Sequence, residues 1–149
     1  MPVLIDNRQN KRAGLKKKTE TTAKAILSAL GCPDAELSVL LVDDPQIAVL
    51  NKEYLGRSGP TNVIAFPMQE GEFADIAPEL LGDVVISVET SDREAEEGGV
   101  PPEERFLELL IHGILHLMGY DHVNDEAEAI RMEEKTRELM AVVEHKKSA

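Results

Sequence analysis

Three of the four histidines fall within eleven residues, in the run His112-Gly113-Ile114-Leu115-His116-Leu117-Met118-Gly119-Tyr120-Asp121-His122. Positions four apart on a helix share one face at about 5–6 Å, so His112 and His116 can converge on one metal ion. Gly119 supplies the left-handed residue that ends a helix, and the chain can then turn back to bring in His122. Three neutral imidazoles at roughly 2.0–2.1 Å leave the fourth tetrahedral position for water, which is the catalytic rather than the structural type of zinc site. One Zn2+ per chain is expected on His112, His116 and His122, although imidazoles also accept nickel, copper and iron. The competing reading is three unrelated satisfied or surface histidines, and the shared register and the placed glycine argue against it. His145, in the charged run Glu144-His145-Lys146-Lys147, reads as a surface residue.

The spacing equals the metzincin pattern H-E-x-x-H-x-x-G-x-x-H in every histidine and in the glycine, but Gly113 stands where that pattern has glutamate. That glutamate is the general base of peptide hydrolysis, so its absence counts against a metalloprotease. A metal-bound water with a pKa near 7 supplies hydroxide without a carboxylate. Asp121, beside the third ligand, either orients that water or an imidazole, or caps the turn. Gly113 costs about 1 kcal/mol relative to alanine in a helix. Two readings explain it: room above the metal for a bulky substrate, or close packing of another backbone.

The elements around the histidines follow from periodicity. Phe106, Leu107, Leu109, Leu110, Ile111, Ile114, Leu115, Leu117 and Met118 make the histidine helix apolar over a wide surface, so it is central and buried. Pro101-Pro102 with Glu103 and Glu104 open it. Upstream, Val3–Asn7 reads as a strand, 14–30 as a helix stopped by Gly31, and Glu36–Asp43 as a buried strand. Asp44-Pro45 reads as an N-cap and first helical proline, opening a helix to about Leu55. Asn62–Phe66 is a strand closed by Pro67, and 69–79 a loop. Leu80–Val88 is a strand with a bulge at Gly82-Asp83, followed by a short helix ending at Gly98-Gly99. Asp125 and Glu128 resemble a capping box for a last helix over about 126–143. The sum is one α/β (α+β) domain over 1–149, a small mixed four-stranded sheet against about five helices.

Charge bears on what such a site acts upon. The chain has 16 basic and 28 acidic side chains, a net charge of −12, which excludes a general polyanion binder. The distribution is uneven: residues 1–24 carry seven basic groups and two acids, and the other 125 residues carry nine and 26. A basic end on an acidic body can dock a nucleic-acid backbone locally. Lys16, Lys17 and Lys18 are the candidate substrate contacts, on the rim of the metal cleft, against the alternative of a solvated helix face. With no Trp, two Tyr and three Phe, a base-stacking platform is not expected. No apolar run approaches the ~20 residues of a membrane span, and no secretory signal is evident. A single cysteine, Cys32, fits a reducing compartment, so the expectation is a cytoplasmic protein without a membrane partner.

The run His112–His122 resembles the H-G-x-L-H-L-x-G-Y-D-H signature of the YbeY family, metal-dependent single-strand endoribonucleases of ribosomal RNA maturation and ribosome quality control. Leu50-Asn51 to Tyr54, then Pro60-Thr61-Asn62-Val63-Ile64-Ala65-Phe66-Pro67, is similar to the family's L-N-x-x-Y-R…P-T-[DN]-V-L-S-F-P segment, and Leu81-Gly82-Asp83 to its L-G-D-[IV] strand. The family arginine after the tyrosine is Leu55 here, and the family serine is Ala65. The nearest arginine is Arg57, in Gly56-Arg57-Ser58-Gly59, which either takes over the role facing substrate or is a solvated turn residue. The resemblance implies a zinc-dependent endoribonuclease acting on single-stranded RNA, including small-subunit ribosomal RNA 3′-end maturation, with the ribosome or ribosomal proteins as partners. The rivals are a metalloprotease on the same ligands and a non-catalytic ribosome-associated factor whose metal only staples the turn.

Overall fold

The computed structural model describes residues 3–9, 14–68, 80–120 and 125–148, with side chains as far as 144. Four strands and five helices are present among them: β1 (Val3–Asn7), α1 (Leu15–Ala29), β2 (Glu36–Val42), α2 (Asp44–Leu55), β3 (Val63–Pro67), β4 (Leu80–Ser87), α3 (Val88–Gly98), α4 (Pro102–Leu117) and α5 (Glu126–Ser148). The expected α/β architecture is the observed one. The sheet runs β1-β2-β4-β3, with β1 and β4 parallel to β2 and β3 antiparallel on the β4 edge. Pro67 ends that edge strand, where its missing N–H costs no ladder bond. The expected loop over 69–79 lies outside the described residues.

Alternation along the strands divides the sheet into two apolar faces. Leu37, Val39, Leu41, Val84 and Ile86 join α1, α4 and α5 in the larger core. Val85 and Ile64 face the other way and pack with Val42 beneath Ile47 of α2. α4 lies against β3 and β4, and so is the central helix its composition predicts.

The bulge falls where expected. Glu36 pairs with Leu80 and Leu37 with Gly82, leaving Leu81 as the extra residue. Gly82 has φ +135°, and a Cβ there would stand 2.2 Å from the Phe66 carbonyl oxygen, so this position requires glycine.

Two boundaries differ from expectation in informative ways. The α2 cap is Asp43, not Asp44: the Asp43 side chain accepts from the Gln46 N–H, and Asp44 is already helical. The Asp44 carboxylate is used elsewhere, accepting from Ser87 Oγ and Thr90 Oγ1, each at 2.6 Å, and from Arg93 Nη1 at 3.1 Å. α5 continues past Val143 to Ser148 because the polar residues there extend a formed helix although nothing apolar remains to bury. At its start, Asp125 Oδ1 accepts from the Ala127 and Glu128 N–H groups, as a cap should, while the Glu128 carboxylate pairs with Arg131.

Asp44 gives an acid-stability prediction. Burial pushes its pKa up, but the Ser87 and Thr90 hydroxyls and the Arg93 guanidinium outweigh this and hold it below the usual carboxylate range. A pKa depressed in the folded state stabilises above the ordinary carboxylate value of about 4, and the contribution is lost as pH falls through the folded value. Asp44→Asn should therefore cost about 1 kcal/mol at pH 7, with the deficit shrinking towards pH 3. Urea unfolding at both pH values checks this, and an equal deficit at both contradicts it.

Candidate functional site

The site begins with what the core leaves over on α4. Nine of its sixteen residues are buried, consuming most of the helix circumference. Arg105, Glu108, His112 and His116 stay half-buried, spaced three, four and four apart, and so form one stripe. His112 and His116 thus share a face as their spacing predicts.

His116 occupies the last turn of α4, where the negative end of the helix dipole favours a cation. The exit from the helix is tightly specified. Gly119, at φ +99°, donates to the His116 carbonyl, and Tyr120 N–H to that of Leu115. The Tyr120 ring packs on the core, with the Arg131 guanidinium 5.3 Å from its centroid, which ties the turn to α5. Asp121 and His122 lie outside the described residues. His112 and His116 therefore stand one turn apart on the same side of α4, and no group of three metal-ligating side chains occurs among the described residues. The donor chemistry of the pair suits a borderline ion such as zinc.

His112 also lines a groove of about 390 Å3 between α4 and α5, with Arg105, Glu108, Met132, Thr136 and Arg137. The groove's cations are committed. Arg105 donates to Glu94 from Nε (3.0 Å) and Nη2 (2.8 Å), and to Glu108 from Nη1. Burial works against its charge, but the two carboxylates outweigh it and raise its pKa. Arg137 pairs with Glu133 at 2.7 Å. Each cation beside His112 thus has its charge compensated, and a phosphate gains little there. Arg105 and Glu108 were not singled out from the sequence, although their spacing back from His112 carries the same helical period.

Gly113 points into the fold. A Cβ on it would stand 2.5 Å from Val84 Cγ1 and 3.0 Å from Cγ2 of β4. This decides between the two readings of the glycine: it permits close helix-on-sheet packing and makes no room above a metal. The packing partner is a valine side chain rather than a backbone.

The remaining candidates lie on other elements. Arg57 is exposed on the turn after α2, and its guanidinium makes no hydrogen bond or ion pair among the described residues. Lys16, Lys17 and Lys18 are exposed on α1. Lys18 lines a crevice with Glu103 and Phe106, thirteen residues or about 20 Å of helix from His116. The lysines therefore lie towards the opposite end of α4 from His116 and do not gather around the histidines. The surface reading of His145 concerns a side chain outside those described.

Comparison with known proteins fixes the class. The family model described as Endoribonuclease YbeY matches residues 4–144. The chain is 52% identical over 145 residues to the Endoribonuclease YbeY of Geobacter metallireducens, covering 97% of each. It is 49% identical over 146 residues to that of Geobacter sulfurreducens, again covering 97% of each. A Thermotoga maritima protein solved in solution is similar with TM-score 0.68 and 26% identity, over 95% of this chain and 88% of that one. The α/β fold with its histidine-bearing central helix is thus that of a hydrolytic endoribonuclease. The chain belongs to the YbeY family. Among the described residues no helix is long and apolar enough to cross a membrane.

Proposed function

We propose that the protein is a zinc-dependent, single-strand-specific endoribonuclease of ribosomal RNA processing, including small-subunit RNA 3′-end maturation and ribosome quality control, working in the cytoplasm with the ribosome as partner. The observation that carries the metal reading is the His112–His116 pair, half-buried on one face of the last turns of α4 in a chain of endoribonuclease family. His112, His116 and His122 would hold one zinc ion. When bound, the ion supplies an activated water and positive charge at the scissile phosphate.

The chain's own residues divide the remaining work. In this reading His122 would complete the ligand set begun by the pair, and Asp121 would orient a ligand imidazole or the attacking water. The cations beside His112 are neutralised by glutamates, so Arg57, whose guanidinium is unpaired among the described residues, is a side chain suited to charge developing on the phosphoryl oxygens. Lys16, Lys17 and Lys18, displaced along α4, suit strand docking rather than chemistry. A peptidase is disfavoured because position 113 projects onto Val84, away from any place where a general base could act.

Parallel assays on an unstructured RNA, the same RNA in duplex and a peptide test the assignment. Cleavage of the single strand alone is expected, and peptide hydrolysis or equal cleavage of duplex would overturn it. The Lys16, Lys17, Lys18 triple alanine variant should bind RNA more weakly with kcat largely kept. Its log–log salt slope should flatten by up to about two units, since each phosphate contact on a single strand contributes about 0.7. An unchanged slope would return these lysines to a solvated helix face. Arg57→Ala should instead lower kcat by about 100-fold with little change in KM, as for a group acting on transition-state charge. Normal kcat would remove Arg57 from the chemistry.

A further inference from the structure

We infer that Asn51 is a positioning residue that holds the Arg57 turn in its working conformation; this rests on the reading of Arg57 as the cation facing substrate. Residues 52–60 are all exposed, so the turn has no core packing of its own to fix it. Asn51, in α2 and only 4% exposed, grips the turn at both ends. Its Nδ2 donates to the Gly59 carbonyl at 2.9 Å, and its backbone carbonyl accepts from the Arg57 N–H at 3.2 Å. Only Ser58 lies between the two anchored residues.

The side chain is poorly chosen for folding alone. Among the described residues Asn51 Oδ1 is buried without a hydrogen-bond partner, an unfavourable state for an amide oxygen. Its neighbours Ile47 and Leu50 pack in the apolar cluster beneath α2, where a leucine would be the ordinary occupant. The hydrogen bond Asn51 does make from its side chain goes to the turn, so the turn is what the asparagine serves.

The turn's exit leads to the flank of the histidine stripe. Asn62 Nδ2 donates to both Glu94 oxygens (3.2 and 3.3 Å), and Glu94 holds Arg105, which shares its stripe with Glu108, His112 and His116. A turn pinned by Asn51 and continued by Asn62 therefore presents Arg57 from a fixed base on that side. Reactions that depend on a charged group's placement lose rate steeply when it is displaced by about 1 Å.

The test compares Asn51→Ala, Arg57→Ala and the double variant of the metal-loaded enzyme, cleaving an unstructured single-stranded oligoribonucleotide, together with amide hydrogen exchange. Asn51→Leu, which keeps α2 apolar, serves if the alanine variant folds poorly. Loss of Asn51 should speed exchange at the Arg57 amide by about tenfold or more while α2 upstream and β3 stay protected. It should lower kcat about tenfold or more with KM nearly constant, and have almost no further effect when Arg57 is already alanine. Unchanged exchange overturns the clamp. Faster exchange with normal kcat, or a loss equally large without Arg57, overturns positioning through Arg57. Normal kcat in Arg57→Ala alone overturns the reading beneath the inference, and that result is visible without any change at Asn51.

Discussion

Replacing His116 with alanine is expected to abolish cleavage of single-stranded RNA while leaving a cooperatively folded protein. His116 lies on the stripe of α4 that the core does not use, whereas Leu109, Leu110, Ile111, Ile114 and Leu115 are essentially inaccessible. The helix is held by that apolar surface, so removing one half-buried imidazole from its other side leaves the core contacts in place. For activity the expectation is the reverse. Residues that merely support metal ligands cost 10–100-fold when lost, so a ligand itself should cost more than about 100-fold. Cleavage rates and thermal unfolding of one preparation check both halves. Retained activity would sink the catalytic assignment. Joint loss of activity and cooperative unfolding would favour the rival in which a metal only staples the turn.

Gly113→Glu, which would complete the peptidase pattern, should destroy the fold rather than create a peptidase. Even Gly113→Ala faces Val84 Cγ1 at 2.5 Å. Overpacking a core by a methyl group costs about 1–3 kcal/mol, which exceeds the roughly 1 kcal/mol that alanine gains over glycine in a helix. A net loss of up to about 2 kcal/mol in urea unfolding is therefore expected for alanine. Glutamate adds several kcal/mol for a buried, unpaired charge, comparable to the whole stability of about 5–15 kcal/mol. Soluble, cooperatively folding Gly113→Glu protein would show that α4 can move off β4, contrary to the packing described.

The contrast between these positions shows what was legible in the sequence. The strands, the helices and the histidine stripe follow from periodicity, because burial on a helix or sheet face leaves a repeat that local inspection can count. The purpose of Gly113 was not legible, since it depends on Val84, a residue on another element. The same holds at the start of α2, where the sequence points to Asp44 as the cap. Asp43 caps because Asp44 is claimed by Ser87, Thr90 and Arg93, partners more than forty residues away. The basic residues give a third case. Their position in the chain placed them on a docking rim, but α1 lays Lys18 beside Glu103, at the far end of α4 from His116. Asn51 in the sequence is one letter of a motif, and its bond to Gly59 exists only once the turn has folded back on α2.

The most direct test of the metal reading is cleavage of single-stranded RNA by protein stripped with a chelator and shown by elemental analysis to be metal-free. Activity should vanish on stripping and return on titration with zinc, saturating near one equivalent per chain, as three imidazoles and one open position require. Full cleavage by the metal-free protein would contradict it.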